Sequence, residues 1–255
     1  MALVHGIEII GSLALLGAVE RLVASQSLAL RAARFAVIPV ANPDAFAANM
    51  ERHLRGRRTW QRCNAEGVDL NRNFPRVPGA ERVRRWHPLS GSALRFSPYY
   101  RGRSAASEPE TQVLCRVAAE LRPKVSLSFH SFGRTLLFPW AWTRDRNPRH
   151  SEYARLGKAF VEALPDTGYR FRAATEWYPI LGDMDDWLDA TFGTLAFTVE
   201  VGGLDRRLLG PRALDPFWWM NPRNARAAVD EVSPGLAALV EAAVLEAPRA
   251  REGNA

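Results

Sequence analysis

A single α/β domain with a mixed, mostly parallel sheet flanked by helices is the fold that the sequence predicts, over residues 1–247 with a flexible tail at 248–255. Three observations carry that expectation. Apolar strand-like runs alternate with amphipathic helical stretches, the pattern of strand–helix–strand units. Three polar groups stand just beyond such runs, His5-Gly6-Ile7-Glu8 after Ala2-Leu3-Val4, His130 after Val125–Phe129, and Glu200 before Val201-Gly202-Gly203, and open α/β sheets bind ligands at that edge. Finally, 255 residues at 47% hydrophobic and 24% charged suffice for one large core.

The elements follow in order. Gly11 to about Ala24 reads as a helix, with Leu13, Leu16, Val19, Leu22 and Val23 as its apolar stripe. Phe35 to Val40 reads as a buried strand, ended by the breaker Asn42-Pro43-Asp44. Ala45 to about Ala106 is mostly irregular, apart from a short helical segment at Phe46–Arg52; a connection of that length is expected only where it is functional or disordered. Ser107-Glu108-Pro109-Glu110 has the form of a capping box opening a helix that Pro123 ends. Strands are expected at Val125–Phe129, within Thr135–Trp140, at Tyr169–Ala173 and at Thr194–Glu200, with helices at Ser151–Leu164 and from the acidic Asp183–Trp187 segment through Ala190. Ser233-Pro234 is expected to cap a final alanine-rich helix reaching about Leu245.

The formal charge of +7 raises anionic partners. It is almost all arginine, since Lys124 and Lys158 are the only lysines, and the arginines are scattered, densest at Arg52–Arg62 and Arg82–Arg85 beside Trp60 and Trp86. Nucleic acid is therefore not expected as the primary partner. Cys63 and Cys115 are too few for a disulfide framework. No apolar run suggests a membrane span, and the first residues lack the basic lead of a secretion signal. The expectation is a cytoplasmic chain, unless a leader precedes Met1; no feature fixes its oligomeric state.

Taken together, His5, Glu8 and His130 make the three-ligand set of a hydrolytic zinc that keeps a position for water. A charge at the end of so apolar a strand as the one before Glu200 is costly unless paired or linked to a metal, and that carboxylate suits a proton acceptor. The segment Arg62-Cys63-Asn64 to Arg72-Asn73-Phe74-Pro75, rich in arginine and amide groups, suits an anion grip.

These residues resemble those of the zinc carboxypeptidases of the carboxypeptidase A type, peptidase family M14. The resemblance runs to about Gly203 and is carried by His5-Gly6-Ile7-Glu8, Asn42-Pro43-Asp44, Arg62-x-Asn64, Gly67 to Pro75, Ser107 to Thr111, His130 to Gly133, Tyr178 with Asp186-Trp187, and Phe197 to Glu200. It implies one zinc ion on His5, Glu8 and His130, with Glu200 as general base and Asp69 orienting His5. It implies further that Arg62 stabilises the oxyanion, that Asn71 and Arg72 grip the substrate's terminal carboxylate, and that Tyr178 is a mobile phenol closing over the substrate. Asp185, seven residues beyond that tyrosine, stands where the family's side-chain pocket has its base, and implies a preference for C-terminal Lys or Arg.

Three departures stand out. Ile7 replaces a usual Asn, Ala45 a usual Gly, and the strands that normally precede His-x-x-Glu are reduced to a stub, so an N-terminally shortened domain is expected. Beside a metallocarboxypeptidase acting on peptides stand two alternatives: a murein-peptide amidase acting on diaminopimelate-containing cell-wall peptides, and a shortened, inactive or binding homologue.

Overall fold

The structure, a computed structural model, describes residues 1–80, 87, 89–164, 166–203 and 213–245. The expected tail and the Arg82–Arg85 run with Trp86 lie outside the described residues. Four strands, β1 (Val125–His130), β2 (Thr135–Phe138), β3 (Arg170–Ala173) and β4 (Leu195–Glu200), form one sheet in the order β1-β4-β2-β3. The β1–β4 and β2–β3 pairs are parallel and β2–β4 is antiparallel. Around them lie α1 (Ile9–Ala24), α2 (Leu28–Ala32), α3 (Pro43–Leu54), α4 (Pro109–Leu121), α5 (His150–Glu162), α6 (Met184–Phe192), α7 (Phe217–Met220) and α8 (Ala225–Leu245).

Strand alternation sorts side chains between two cores. Phe129, Phe197 and Val199 pack with α1, α5 and α8, while Ala196 packs on the other face with Leu114, Trp187 and Leu188. Beyond Ala196 on that second face come Thr198 and Glu200, and Ser126, Ser128 and His130 follow the same rhythm on β1. The register sets His130 directly opposite Glu200, so the polar ends of two apolar strands meet at one point.

Several expectations need correction. α1 buries Ile10, Gly11, Ala14, Leu15, Ala18 and Leu22, while Leu13, Leu16 and Val23 are exposed. The inner face uses small residues because neighbours approach closely: a Cβ on Gly11 would stand 2.9 Å from the Phe129 carbonyl oxygen. Phe35 to Val40 is not a strand, and Phe35 and Val37 are exposed. Among the described residues its backbone reaches one strand-like residue, Ala2, whose N–H donates to Ile38 O and whose carbonyl accepts from Ala41 N just beyond the segment. Ala2 also bridges Phe129 in parallel. Between the Phe35–Ile38 segment and β1 runs an apolar trough of about 650 Å³, lined also by Leu15, Leu22, Leu121 and Leu127.

Asn42-Pro43-Asp44 starts a helix rather than breaking the chain. The Asn42 side chain accepts from Ala45 N and Pro43 occupies the first helical position of α3, where its missing N–H costs nothing. The capping box at Ser107 does not form: Glu108 is the N-cap residue of α4, and Ser107 Oγ donates to Glu108 Oε1 at 2.6 Å. Ser233-Pro234 lies within α8 rather than at its start; Ser233 Oγ donates to Val229 O at 2.5 Å, and Val229, Val232 and Leu236 hold the helix on the core.

Candidate metal centre and substrate cavity

The turn from His5 to Glu8 is fixed from three directions. Gly6 N donates to Arg62 O at 3.1 Å. Asn221 spans the following bend, its Nδ2 donating to Ile7 O at 2.8 Å and its Oδ1 accepting from Ile10 N at 2.9 Å. Gly6 lies against α3 so closely that a Cβ there would stand 2.3 Å from the Ala45 methyl; the alanine at position 45 fits because position 6 has no side chain. His130, the last residue of β1, arrives from the sheet.

His5, Glu8 and His130 are buried together. Glu8 Oε1 lies 2.9 Å from His5 Nδ1 and Glu8 Oε2 lies 2.9 Å from His130 Nδ1. Both imidazoles thus aim Nδ1 at one point and anchor Nε2 behind it, His5 on Asp69 Oδ1 at 3.1 Å and His130 on Ser128 Oγ at 3.0 Å. Bonds of roughly 2.0–2.2 Å around a tetrahedral zinc put ligand atoms about 3.3 Å apart, close to the spacing found here, so the donor set fits such an ion. Among the described residues it is the one group of three such side chains whose ligand atoms lie within 4.8 Å of one another. For Glu8, burial alone would raise the carboxyl's pKa, but His5 and His130 outweigh it and hold the group well below the usual range. Burial likewise opposes the ionisation of Asp69, and Arg62, Arg72 and His5 overcome it.

A cavity of about 230 Å³ opens beside this cluster, and Arg62, Asn71, Arg72, Tyr178, Asp185 and Glu200 all line it. Asp69 lies behind His5, fully buried, and its Oδ2 accepts from Arg62 Nε at 3.1 Å. Arg62 Nη1 reaches Glu8 Oε1 at 3.4 Å. Asn71 Oδ1 accepts from Met184 N at 3.2 Å, which leaves its Nδ2 as the donor. Arg72 donates from Nε to Leu89 O and from Nη1 to Asn71 O, but its Nη2 is buried with no partner among the described residues. An unpartnered guanidinium N–H in a closed site is an anion site by its chemistry. Burial, reinforced by Glu8, raises the Glu200 carboxyl well above its ordinary range.

The three aspartates of the acidic segment have separate tasks. Asp186 accepts from Ala141 N and Trp142 N and so ties α6 to the loop after β2. Asp183 caps α6 through Asp186 N. Asp185 accepts from Thr198 Oγ1 at 2.6 Å through one oxygen, while its other oxygen is buried with no partner among the described residues. Burial and then the neighbouring Asp183 push its carboxyl up to about 7.

Sequence reasoning did not single out Tyr99, Ser128, Thr198 or Asn221. The Tyr99 ring lies near both cations, 5.4 Å from Arg62 Cζ and 5.8 Å from Arg72 Cζ. Ser128 and Thr198 were within reach of strand periodicity, each standing two residues before a site residue on the same face. Asn221 carries no local signal, since it acts across 214 positions of sequence.

A sequence model of the zinc carboxypeptidases matches residues 1–221. Among curated proteins, the chain is 28% identical over 219 residues to human carboxypeptidase B2, covering 80% of this chain and 48% of that one. It is 39% identical over 112 residues to murein peptide amidase A of Escherichia coli K12, covering 42% of each. The chain thus spans about half the length of the curated relatives it matches. Among solved structures, carboxypeptidase A from Helicoverpa armigera superposes with a TM-score of 0.73 at 23% identity over 97% of this chain and 61% of that one, a likeness of fold. The murein-tripeptide amidase of Escherichia coli O157 gives 0.55 at 25% identity, covering 94% and 79%.

Proposed function

This chain belongs to the zinc carboxypeptidase family, and on that premise we propose that it hydrolyses the last peptide bond of peptides and prefers those ending in Lys or Arg. The observation that carries this reading is the buried, unpartnered Nη2 of Arg72 in the cavity beside the His–Glu–His cluster. A terminal carboxylate supplies the missing acceptor, and Asn71 Nδ2 supplies a second donor. The substrate's last side chain then extends toward Asp185, whose free oxygen suits an ammonium or guanidinium group.

His5, Glu8 and His130 are the residues that would hold a single zinc ion. Bound there, zinc supplies Lewis acidity and brings the pKa of a water to about 7. Glu200 accepts the proton as water adds to the scissile carbonyl carbon. Arg62 donates N–H to the oxygen as negative charge builds on it. Glu200 then delivers its proton to the departing amine nitrogen as the carbon–nitrogen bond breaks, and the Tyr178 phenol closes the cavity during these steps.

A second reading is a murein-peptide amidase, favoured by the similarity to the Escherichia coli enzyme and by the chemistry of Asp185, which an amine-bearing diaminopimelate side chain would also satisfy. One experiment addresses both. Zinc-loaded protein is incubated with a mixed peptide pool and, separately, with diaminopimelate-containing peptides, with and without chelator, and products are read by mass spectrometry. Chelator-sensitive loss of single C-terminal Lys or Arg supports the first reading, and release from the cell-wall peptides alone supports the second. No cleavage in either pool by zinc-retaining protein would remove both and leave a binding homologue.

A further inference from the structure

The ring of Tyr178 has a partner outside the residues given a role so far. His87 stacks on it, with ring centroids 5.6 Å apart and planes 9° from parallel, and Arg72 Cζ lies 6.0 Å from the centre of the same ring. The tyrosine therefore has an imidazole stacked on it and a guanidinium within cation–π range.

His87 is itself anchored. Its Nδ1 accepts from Leu89 N at 3.3 Å, which assigns the proton of the neutral ring to Nε2, and its carbonyl accepts from Ser90 N at 3.1 Å. The same turn is bolted to both sides of the tyrosine's neighbourhood. Leu89 O accepts from Arg72 Nε at 3.0 Å, Ser90 Oγ donates to Pro179 O at 2.6 Å, and Leu181 N donates to Ser90 O at 3.0 Å. Tyr178 lies one residue before Pro179 and three before Leu181, so the turn that carries His87 also fixes the backbone beside the phenol.

We propose that His87 is a positioning residue: by stacking on Tyr178 it keeps the phenol over the cavity before substrate arrives. The inference rests on the reading of Tyr178 as the group that closes over the substrate. If the competent arrangement is only partly populated, apparent affinity falls by the unpopulated share, so the stack acts on KM rather than on the bond-breaking step. An aromatic pair of this kind biases such an equilibrium by about two- to tenfold.

Two substitutions separate the stack from the hydrogen bond. His87→Phe keeps a flat ring but loses the acceptor for Leu89 N; His87→Asn keeps an acceptor but loses the ring. Steady-state kinetics on a peptide that the wild type cleaves is the first readout. The rate of Tyr178 nitration by tetranitromethane, assigned by peptide mass, is the second and needs no activity. We expect His87→Asn to raise KM by about two- to tenfold with kcat held, and to speed nitration by a similar factor, while His87→Phe stays near the wild type in both. Wild-type KM and nitration in His87→Asn, or a His87→Phe variant as impaired as His87→Asn, would overturn the proposal. Tyr178→Phe is the control for the underlying reading: if its kinetics match the wild type, it is the role of Tyr178 that fails.

Discussion

The Nδ1 atoms of His5 and His130 lie 3.1 Å apart, with ring centroids 4.8 Å from each other. Two imidazoles brought this close in a buried site repel if both are charged, and Glu8 alone stands between them to receive a proton. A divalent cation satisfies all three donors at once. His5→Ala and His130→Ala are therefore expected to abolish retention of zinc through gel filtration, read by atomic absorption. Asp69→Ala, which removes the anchor behind His5 together with an acceptor for Arg62 Nε and Asn71 N, should weaken zinc affinity by about ten- to a hundredfold in chelator competition. Stoichiometric zinc in His130→Ala would sink the assignment.

Arg72 supplies a test based on the substrate rather than the enzyme. Peptides with an amidated C-terminus offer no carboxylate to its free Nη2, so they should be cleaved far more slowly than the free acids. Arg72→Ala should lower kcat/KM for the free acids by about a hundredfold or more, and should narrow the gap between acid and amide. Equal rates on acid and amide by the wild type would remove Arg72 from carboxylate recognition.

Glu200 is expected to matter to turnover far more than to binding. Glu200→Gln should reduce kcat by about a hundredfold to ten-thousandfold, the usual contribution of a general base. Binding of the product amino acid, measured by calorimetry, should change little. Near-normal turnover would assign the proton transfer elsewhere.

Asp185 gives the site a pH signature. With its carboxyl pushed up to about 7 by burial and then by Asp183, the group is neutral below that value and charged above it. The preference for Lys and Arg over Leu at the substrate's end should grow as pH rises through about 7, and Asp185→Asn should abolish that growth. The sign for stability follows from the same shift. The folded protein holds this proton more tightly than the unfolded chain, so the stability it contributes is present at low pH and lost as pH rises through the folded value. Asp185→Asn should accordingly raise Tm more at pH ~8 than at pH ~5.

Gly6 is constrained by shape. Its ideal Cβ position lies 2.3 Å from the Ala45 methyl and 2.7 Å from the Ala45 carbonyl carbon, so Gly6→Ala should cost about 1–3 kcal/mol in denaturant unfolding through overpacking. Gly6→Ala combined with Ala45→Gly should recover the part due to the methyl contact.

The strands that carry His130 and Glu200 were legible because each is a short apolar run ending in one ionisable group, and their convergence follows from parallel register. The separated motifs likewise bring Arg62, Arg72 and Tyr178 to one cavity. Less was legible where an apolar residue serves something other than a core. Leu13 and Leu16 suggested the buried stripe of α1, yet close approach to β1 and α8 selected Gly11, Ala14 and Ala18 instead. Phe35 to Val40 has the composition of a strand but, among the described residues, pairs its backbone with Ala2 alone, and composition does not report which neighbours a run will find. Asn42-Pro43 was ambiguous by nature, since proline serves a helix's first turn as readily as it ends an element.

The bond from Asn221 to the His5–Glu8 turn joins positions 214 residues apart. On a ribosome the turn is synthesised well before its clamp, so His5 and Glu8 wait unlatched while nearly the whole matched segment is made. A nascent chain halted before position 221 carries His5, Glu8 and His130 but lacks this clamp. Locking of the turn by Asn221 is thus delayed until the end of the matched segment has emerged.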